Sequence, residues 1–178
     1  MKRPTLSGRP AADFDLAILG GGSAGYAAAR VAAAAGLKTV VIEGGPEVGG
    51  LCILRGCMPS KALLYAAEVL HLARAAKTWG LKIPKADFDF KAVMARKKGM
   101  VEEFAHYRRE ELSNGKFKLL RACARFQDAH TLALSEARGR CPKFLTAKHF
   151  VISTGSVAAP APLPDLQAAG FLTSREDY

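Results

Sequence analysis

Residues 14–43 spell strand, glycine turn, helix, strand and acid in unbroken order, and few folds accept that order. Phe14, Leu16, Ala17, Ile18 and Leu19 form a short apolar run with Asp15 near its start, which suits a buried parallel strand. It leads into Gly20, Gly21, Gly22, Ser23, Ala24 and Gly25, a match to G-x-G-x-x-G. The first glycine permits a tight turn, the second lets backbone approach a pyrophosphate, and the third brings helix and strand close. Backbone amides at Ser23 and Ala24 open an alanine-rich helix expected over residues 23–35, and a helix N-terminus attracts phosphate. A second strand over residues 38–42 ends at Glu43, about 20 residues past the glycines, where an acid holds a ribose hydroxyl. The pattern places a dinucleotide here and fits FAD or NAD alike.

Six residues further on, Gly49, Gly50, Leu51, Cys52, Ile53, Leu54, Arg55, Gly56, Cys57, Met58, Pro59, Ser60 and Lys61 carry a second signal. Two cysteines five positions apart could be small buried residues, half of a zinc site, or a redox pair. Zinc prefers two to four intervening residues and needs further ligands, and Cys123 and Cys141 follow no such spacing. On a continuous helix, residues five apart are separated by about 7.5 Å along the axis, too far for a disulfide. A redox pair therefore requires the segment to bend, and Gly56 offers backbone freedom for it. Pro59 suits the first position of a helix, which would put Cys57 at the helix N-terminus. There the dipole and free amides favour thiolate over thiol.

These two segments resemble the pyridine nucleotide-disulfide oxidoreductase family. Gly49 to Lys61 is similar to its redox motif, G-G-T-C-x-N-x-G-C-x-P-S-K, and Gly20 to Gly25 with Glu43 is similar to its FAD fingerprint. The resemblance implies an α/β fold: a Rossmann-like FAD-binding domain with a parallel sheet and a small antiparallel meander. It implies FAD as cofactor, with NAD(P)H serving the full-length protein. By that likeness Cys52 is the interchange thiol that meets the substrate and Cys57 the charge-transfer thiol beside the flavin. Gly20, Gly22, Ser23, Ala24, Gly25, Glu43, Gly49, Gly50, Leu51, Cys52 and Lys61 would line the cofactor, Lys61 near the flavin ring and Glu43 at the adenosine ribose. Residues 121–126 are similar to the family's strand whose backbone near Ala124 meets adenine, and Ser153, Thr154, Gly155 and Ser156 to its A-T-G-S turn. The implied substrate is a small disulfide of dihydrolipoamide type or a metal ion, and the full-length form would be a homodimer. Leu51 stands where the family usually has threonine and Leu54 where it has asparagine, so an apolar lining is expected near the pair.

The chain has 178 residues and a single G-x-G-x-x-G. We expect an N-terminal extension over 1–13, an FAD-binding domain with the dithiol over 14–156, and a linker over 157–178 leading towards an NAD(P)-binding domain. That organisation reads as one half of a longer enzyme. Two other classes fit the motifs less fully: a flavin-binding fragment without catalysis, and a simple NAD-binding dehydrogenase domain with incidental cysteines. Net charge is +10, with basic residues outnumbering acidic ones across residues 91–125. No aromatic interleaving accompanies them, so a solvated helical face is expected in place of nucleic-acid binding. Residues 1–10 lack the apolar core of a signal peptide and no run of eighteen apolar residues occurs, so neither export nor a membrane span is expected. One redox motif among four cysteines suits a reducing cytoplasm, and no resident metal is expected.

Further along, the spacing predicts a helix over residues 60–77 with Leu63, Leu64, Val69, Leu70 and Leu72 on its apolar faces. Trp79 is expected to pack behind it. A longer helix capped by Asp87 or Asp89 should run to about residue 113, with Phe90, Val93, Met94, Val101 and Phe104 at helical spacing, ending at Asn114 and Gly115. His71, His106 and Tyr107 read as helix-surface residues. Residues 117–126, 131–134 and 144–146 read as the meander, and 149–152 as a strand returning to the parallel sheet.

Overall fold

A computed structural model describes residues 12–136, 139, 141–157, 159, 163, 165, 166 and 168–171. The expected 1–13 extension, except Ala12 and Asp13, and much of the expected 157–178 linker lie outside the described residues. The chain divides into two compact units. The first takes in the chain up to Val48 together with Glu110–Thr154, and the second Gly49–Arg109 together with the chain from Gly155 onward.

The first unit is the α/β core. Its six strands are β1 (Phe14–Leu19), β2 (Thr39–Ile42), β3 (Lys118–Leu120), β4 (Cys123–Phe126), β5 (Thr131–Ser135) and β6 (Phe144–Ile152), in the order β3-β2-β1-β6-β5-β4. β3, β2, β1 and β6 are parallel, while β6-β5-β4 is an antiparallel meander. β6 serves both parts. Residues 144–146 pair with β5, and 147–152 run beside β1, so the two separate strands expected there are one. The expected strand over 117–126 is likewise divided: β3 joins the parallel sheet and β4 the meander, with Arg121 and Ala122 between them.

Alternation along the buried strands sorts their side chains into two cores, because successive residues point to opposite faces. Ala17, Leu19, Val40 and Ile42 pack with Leu120, Leu132, Leu145 and Ala147. Ile18 and Val41 pack on the other face with Tyr26 and Ala29 of helix α1 (Ser23–Ala34), and with Leu112 and Phe117. Alanine at the α1 contact lets helix and sheet approach closely, as the composition required.

The second unit holds α2 (Gly50–Leu54), α3 (Cys57–Arg74), a short 3₁₀ turn (Ala76–Trp79) and most of α4 (Phe90–Ser113), whose final turn belongs to the first unit. Asp89 caps α4 as expected, its carboxylate accepting the Ala92 N–H at 3.2 Å. The packing expected of Trp79 fails. Trp79 is 69% exposed, and Leu64, Val69, Leu72, Phe90 and Phe104 are also exposed. Helical periodicity marks a face as apolar but does not say what covers it. Among the described residues, no helix is long and apolar enough to cross a membrane.

Candidate functional site: a glycine turn and an interrupted dithiol helix

The glycine turn joins β1 to α1. Gly20 takes φ +103°, and a Cβ there would lie 2.3 Å from the Ser153 carbonyl oxygen. A Cβ on Gly25 would lie 1.8 Å from the Gly20 carbonyl oxygen and 2.8 Å from Ser153 Oγ. Both positions thus exclude any side chain, for the reason the motif anticipates: backbone must pass within contact distance of backbone. Ser153, the residue after β6, braces the turn, its hydroxyl reaching the carbonyls of Leu19 at 2.9 Å and Gly20 at 3.1 Å. Helix α1 begins at Ser23 behind Gly22 with no side-chain cap and no acid in its first turn. Its first amides, including those of Ser23 and Ala24, are therefore directed at whatever anion the turn receives.

Glu43 sits at the end of β2, half-buried. One carboxylate oxygen accepts the Gly21 N–H at 2.8 Å, the other the Gly45 N–H at 2.7 Å. A carboxylate offers about four acceptor positions, so two remain for ribose hydroxyls. The residues present fit the adenosine-pyrophosphate part of a dinucleotide: a cradle that any Cβ would fill, uncapped amides, and an oriented acid. Ala124 lies in β4 opposite Leu134. Thr154, Gly155 and Ser156 are exposed just past β6, Gly155 at φ +77°.

In the second unit the dithiol segment breaks where the spacing required. α2 ends at Leu54, and α3 starts at Cys57 with Gly56 as its N-cap. Gly49 at φ +143° and Gly50 at φ +71° open α2 in conformations that favour glycine. Gly56 sits at φ −133° and ψ −108°, and a Cβ there would stand 3.0 Å from the Leu51 carbonyl oxygen, so close approach across the junction adds to the expected backbone freedom in favouring glycine. Pro59 is also displaced: α3 begins at Cys57, so the proline is third in the helix, still within the turn that lacks N–H partners. Leu54 lies against the Gly49 position, while Leu51 is 46% exposed.

Both cysteines are free thiols, Cys57 exposed and Cys52 half-buried. The Cys52 side chain is the neighbour that most affects the Cys57 thiol. Its effect reverses one expectation. The Cys52 side chain raises the Cys57 thiol above its ordinary range, helped by lost hydration and the Cys52 charge. The Cys57 backbone N–H and Lys61, one turn along α3, pull the other way and do not prevail. A thiolate disfavours a second charge beside it. Helix position alone therefore does not set the thiolate. Among the described residues, no group of three or more His, Cys, Asp or Glu side chains is placed to hold a metal ion. His71, His106 and Tyr107 are exposed on their helices.

The role of one further residue is not written in its sequence spacing. Arg121, between β3 and β4, directs its guanidinium at the loop that follows Glu43. The partners are some 75 residues apart in sequence, so only the sheet order brings them together.

A dinucleotide-type glycine turn and a helix junction between two cysteines occur in one chain. Residues 14–177 match the family model described as pyridine nucleotide-disulphide oxidoreductase, and the chain belongs to that family. It is 36% identical over 175 residues to the dihydrolipoyl dehydrogenase of Bacillus subtilis (strain 168), covering 93% of this chain and 36% of the relative. It is 33% identical over 163 residues to the mercuric reductase of Lysinibacillus sphaericus, covering 91% and 29%. The dihydrolipoyl dehydrogenase of Thermus scotoductus is 38% identical over 148 residues, covering 83% and 30%. The chain thus spans about a third of the length of these curated relatives.

Proposed function

We propose that this chain is the FAD-binding, dithiol-bearing part of an NAD(P)H-linked disulfide oxidoreductase whose substrate is a small disulfide of dihydrolipoamide type or a metal ion. The supporting observation is the junction at residues 55–56. It interrupts the helix between Cys52 and Cys57 and leaves Cys52 as the neighbour that most affects the Cys57 thiol, in a chain that also carries the glycine turn and Glu43.

Gly20 and Gly25 admit the pyrophosphate backbone-close, the α1 amides hold its charge, and Glu43 takes the adenosine ribose. When bound, FAD supplies a two-electron relay between NAD(P)H and the Cys52–Cys57 disulfide. The net step consumes one NAD(P)H and one proton, breaks the S–S bond and leaves two thiols. Cys52 then attacks a substrate disulfide as thiolate, forming a mixed disulfide and releasing one substrate thiol. Cys57 attacks Cys52 in turn, so the second substrate thiol leaves and the intramolecular bridge returns. Lys61 and the α3 amide favour the charged form of Cys57 once its proton has gone. A thiolate pair generated this way could equally ligate a soft metal ion. The full-length assembly is a homodimer in this reading.

The test is to load the purified chain with FAD, oxidise it, and add two electron equivalents of dithionite. Flavin should bind at one per chain, and alkylation should then find two new thiols at Cys52 and Cys57 with Cys123 and Cys141 unchanged. A colourless chain that binds NAD tightly would contradict the proposal.

A further inference from the structure

We propose that Arg121 is a positioning residue for the ribose of the bound dinucleotide, acting entirely through Glu43; this rests on the nucleotide-binding reading above.

Arg121 follows Leu120, the last residue of β3. The Leu120 carbonyl accepts the Glu43 N–H at 2.9 Å and the Ala122 N–H donates to the Glu43 carbonyl at 3.2 Å, so backbone bonds on either side of Arg121 tie Glu43 to this strand end. The guanidinium then closes over the loop. Nε donates to the Glu43 carbonyl at 3.4 Å, while Nη2 donates to the carbonyls of Gly45 and Pro46, the latter at 3.0 Å. Gly44 lies flat beneath this contact, where a Cβ would stand 2.9 Å from Cys123 Sγ and 3.2 Å from the Ala122 carbonyl oxygen.

Three loop carbonyls turned towards one cation fix the peptide planes between Glu43 and Pro46. With the Gly45 carbonyl drawn to Arg121, the Gly45 N–H is held where it meets the Glu43 carboxylate at 2.7 Å. The second carboxylate oxygen is held by Gly21 of the glycine turn at 2.8 Å. The carboxylate thus cannot rotate, and its unused lone pairs face one way. Among the described residues Arg121 bonds the carbonyls of this loop and not that carboxylate, so its effect is relayed by the loop. A lysine offers one point charge and no planar fork, so it could serve only part of the set.

The experiment is a double-mutant cycle on FAD affinity, read by quenching of flavin fluorescence on the full chain, with Arg121→Met, Glu43→Gln and both together. Arg121→Met should weaken FAD about tenfold, the scale of one charge-assisted hydrogen bond. Added to Glu43→Gln it should weaken binding no further than about twofold, and Arg121→Lys should recover part of the affinity. Effects that multiply in the double variant, or wild-type affinity in Arg121→Met, would overturn the proposal. So would loss of the folded state in Arg121→Met and Arg121→Lys alike, which would give the arginine a merely structural role. Should the wild-type chain take NAD and reject FAD, the flavin reading fails, and the same cycle on NAD still tests Arg121.

Discussion

Gly25→Ala is the sharpest probe of the nucleotide turn, because two physical effects oppose each other there and the structure says which wins. Gly25 is helical, in α1, so alanine gains about 1 kcal/mol from helix propensity. Against this, the new Cβ would meet the Gly20 carbonyl oxygen at 1.8 Å, the Gly20 carbonyl carbon at 3.0 Å and Ser153 Oγ at 2.8 Å. Ordinary contact is about 3.5 Å, so the start of α1 must retreat by well over an ångström. Backbone cannot rotate away as a side chain can, which places the cost at the upper end of overpacking, about 3 kcal/mol or more. Sterics win. For a chain of this size that lowers Tm by roughly 6–12 °C. The retreat also displaces the α1 amides, and loss of one charge-assisted amide–phosphate bond, about 1.5–3 kcal/mol, weakens FAD about 10–150-fold. Thermal unfolding by circular dichroism and titration with FAD measure the two effects separately. Gly36→Ala is the control. It is strained at φ +76° with nothing within 4 Å, so it should cost about 1 kcal/mol and leave FAD affinity intact. A Gly25→Ala chain with unchanged Tm and unchanged affinity would refute the reasoning.

Three further outcomes follow from the same geometry. Cys52→Ala removes the main cause that raises the Cys57 thiol, so the midpoint pH for alkylation of Cys57, followed by peptide mass spectrometry, should fall; Lys61→Met should raise it. Because the folded-state value is raised above the ordinary 9.0, the stability this interaction gives the reduced chain is present below that pH and lost as pH climbs through the folded value. Denaturant midpoints of wild type and Cys52→Ala should therefore converge on the alkaline side. Gly56→Ala must push the Leu51 carbonyl from 3.0 Å and should slow formation of the Cys52–Cys57 bridge, measured by thiol loss under oxidised glutathione, at a stability cost of about 1 kcal/mol. Ser153→Ala removes the hydroxyl bonds to Leu19 and Gly20 and should cost about 1 kcal/mol with a modest loss of FAD affinity.

What could be read from sequence was whatever is local. Gly20, Gly25 and Glu43 stand at fixed offsets from a strand end, and the structure puts each in the geometry those offsets imply. The break between Cys52 and Cys57 was legible for the same reason, since a helix cannot join them. Non-local facts were hidden. Arg121 reaches its loop only because β3 lies beside β2, and the division of β3 from β4 at Arg121 and Ala122 depends on which neighbour each half finds. Gly56 was identified correctly for an incomplete reason, because a close approach to the Leu51 carbonyl leaves no trace in composition. The Cys57 titration went the other way for a similar cause: helix position is written in sequence, but a sulfur neighbour across the junction is not. Trp79 and the apolar residues of α3 show the converse limit. Periodicity identified them as fit for burial, and 69% exposure at Trp79 shows that fitness and burial are separate properties.

The account depends on bound flavin being electronically coupled to the thiol pair, and a spectrum of the FAD-loaded chain before and after two-electron reduction tests that directly. Wild type should develop a long-wavelength absorption from a thiolate beside oxidised flavin; Cys52→Ser, which has no disulfide to take the electrons, should show it before reduction; and Cys57→Ser should show it in neither state. The same spectrum from all three proteins, with or without that absorption, would contradict the assignment.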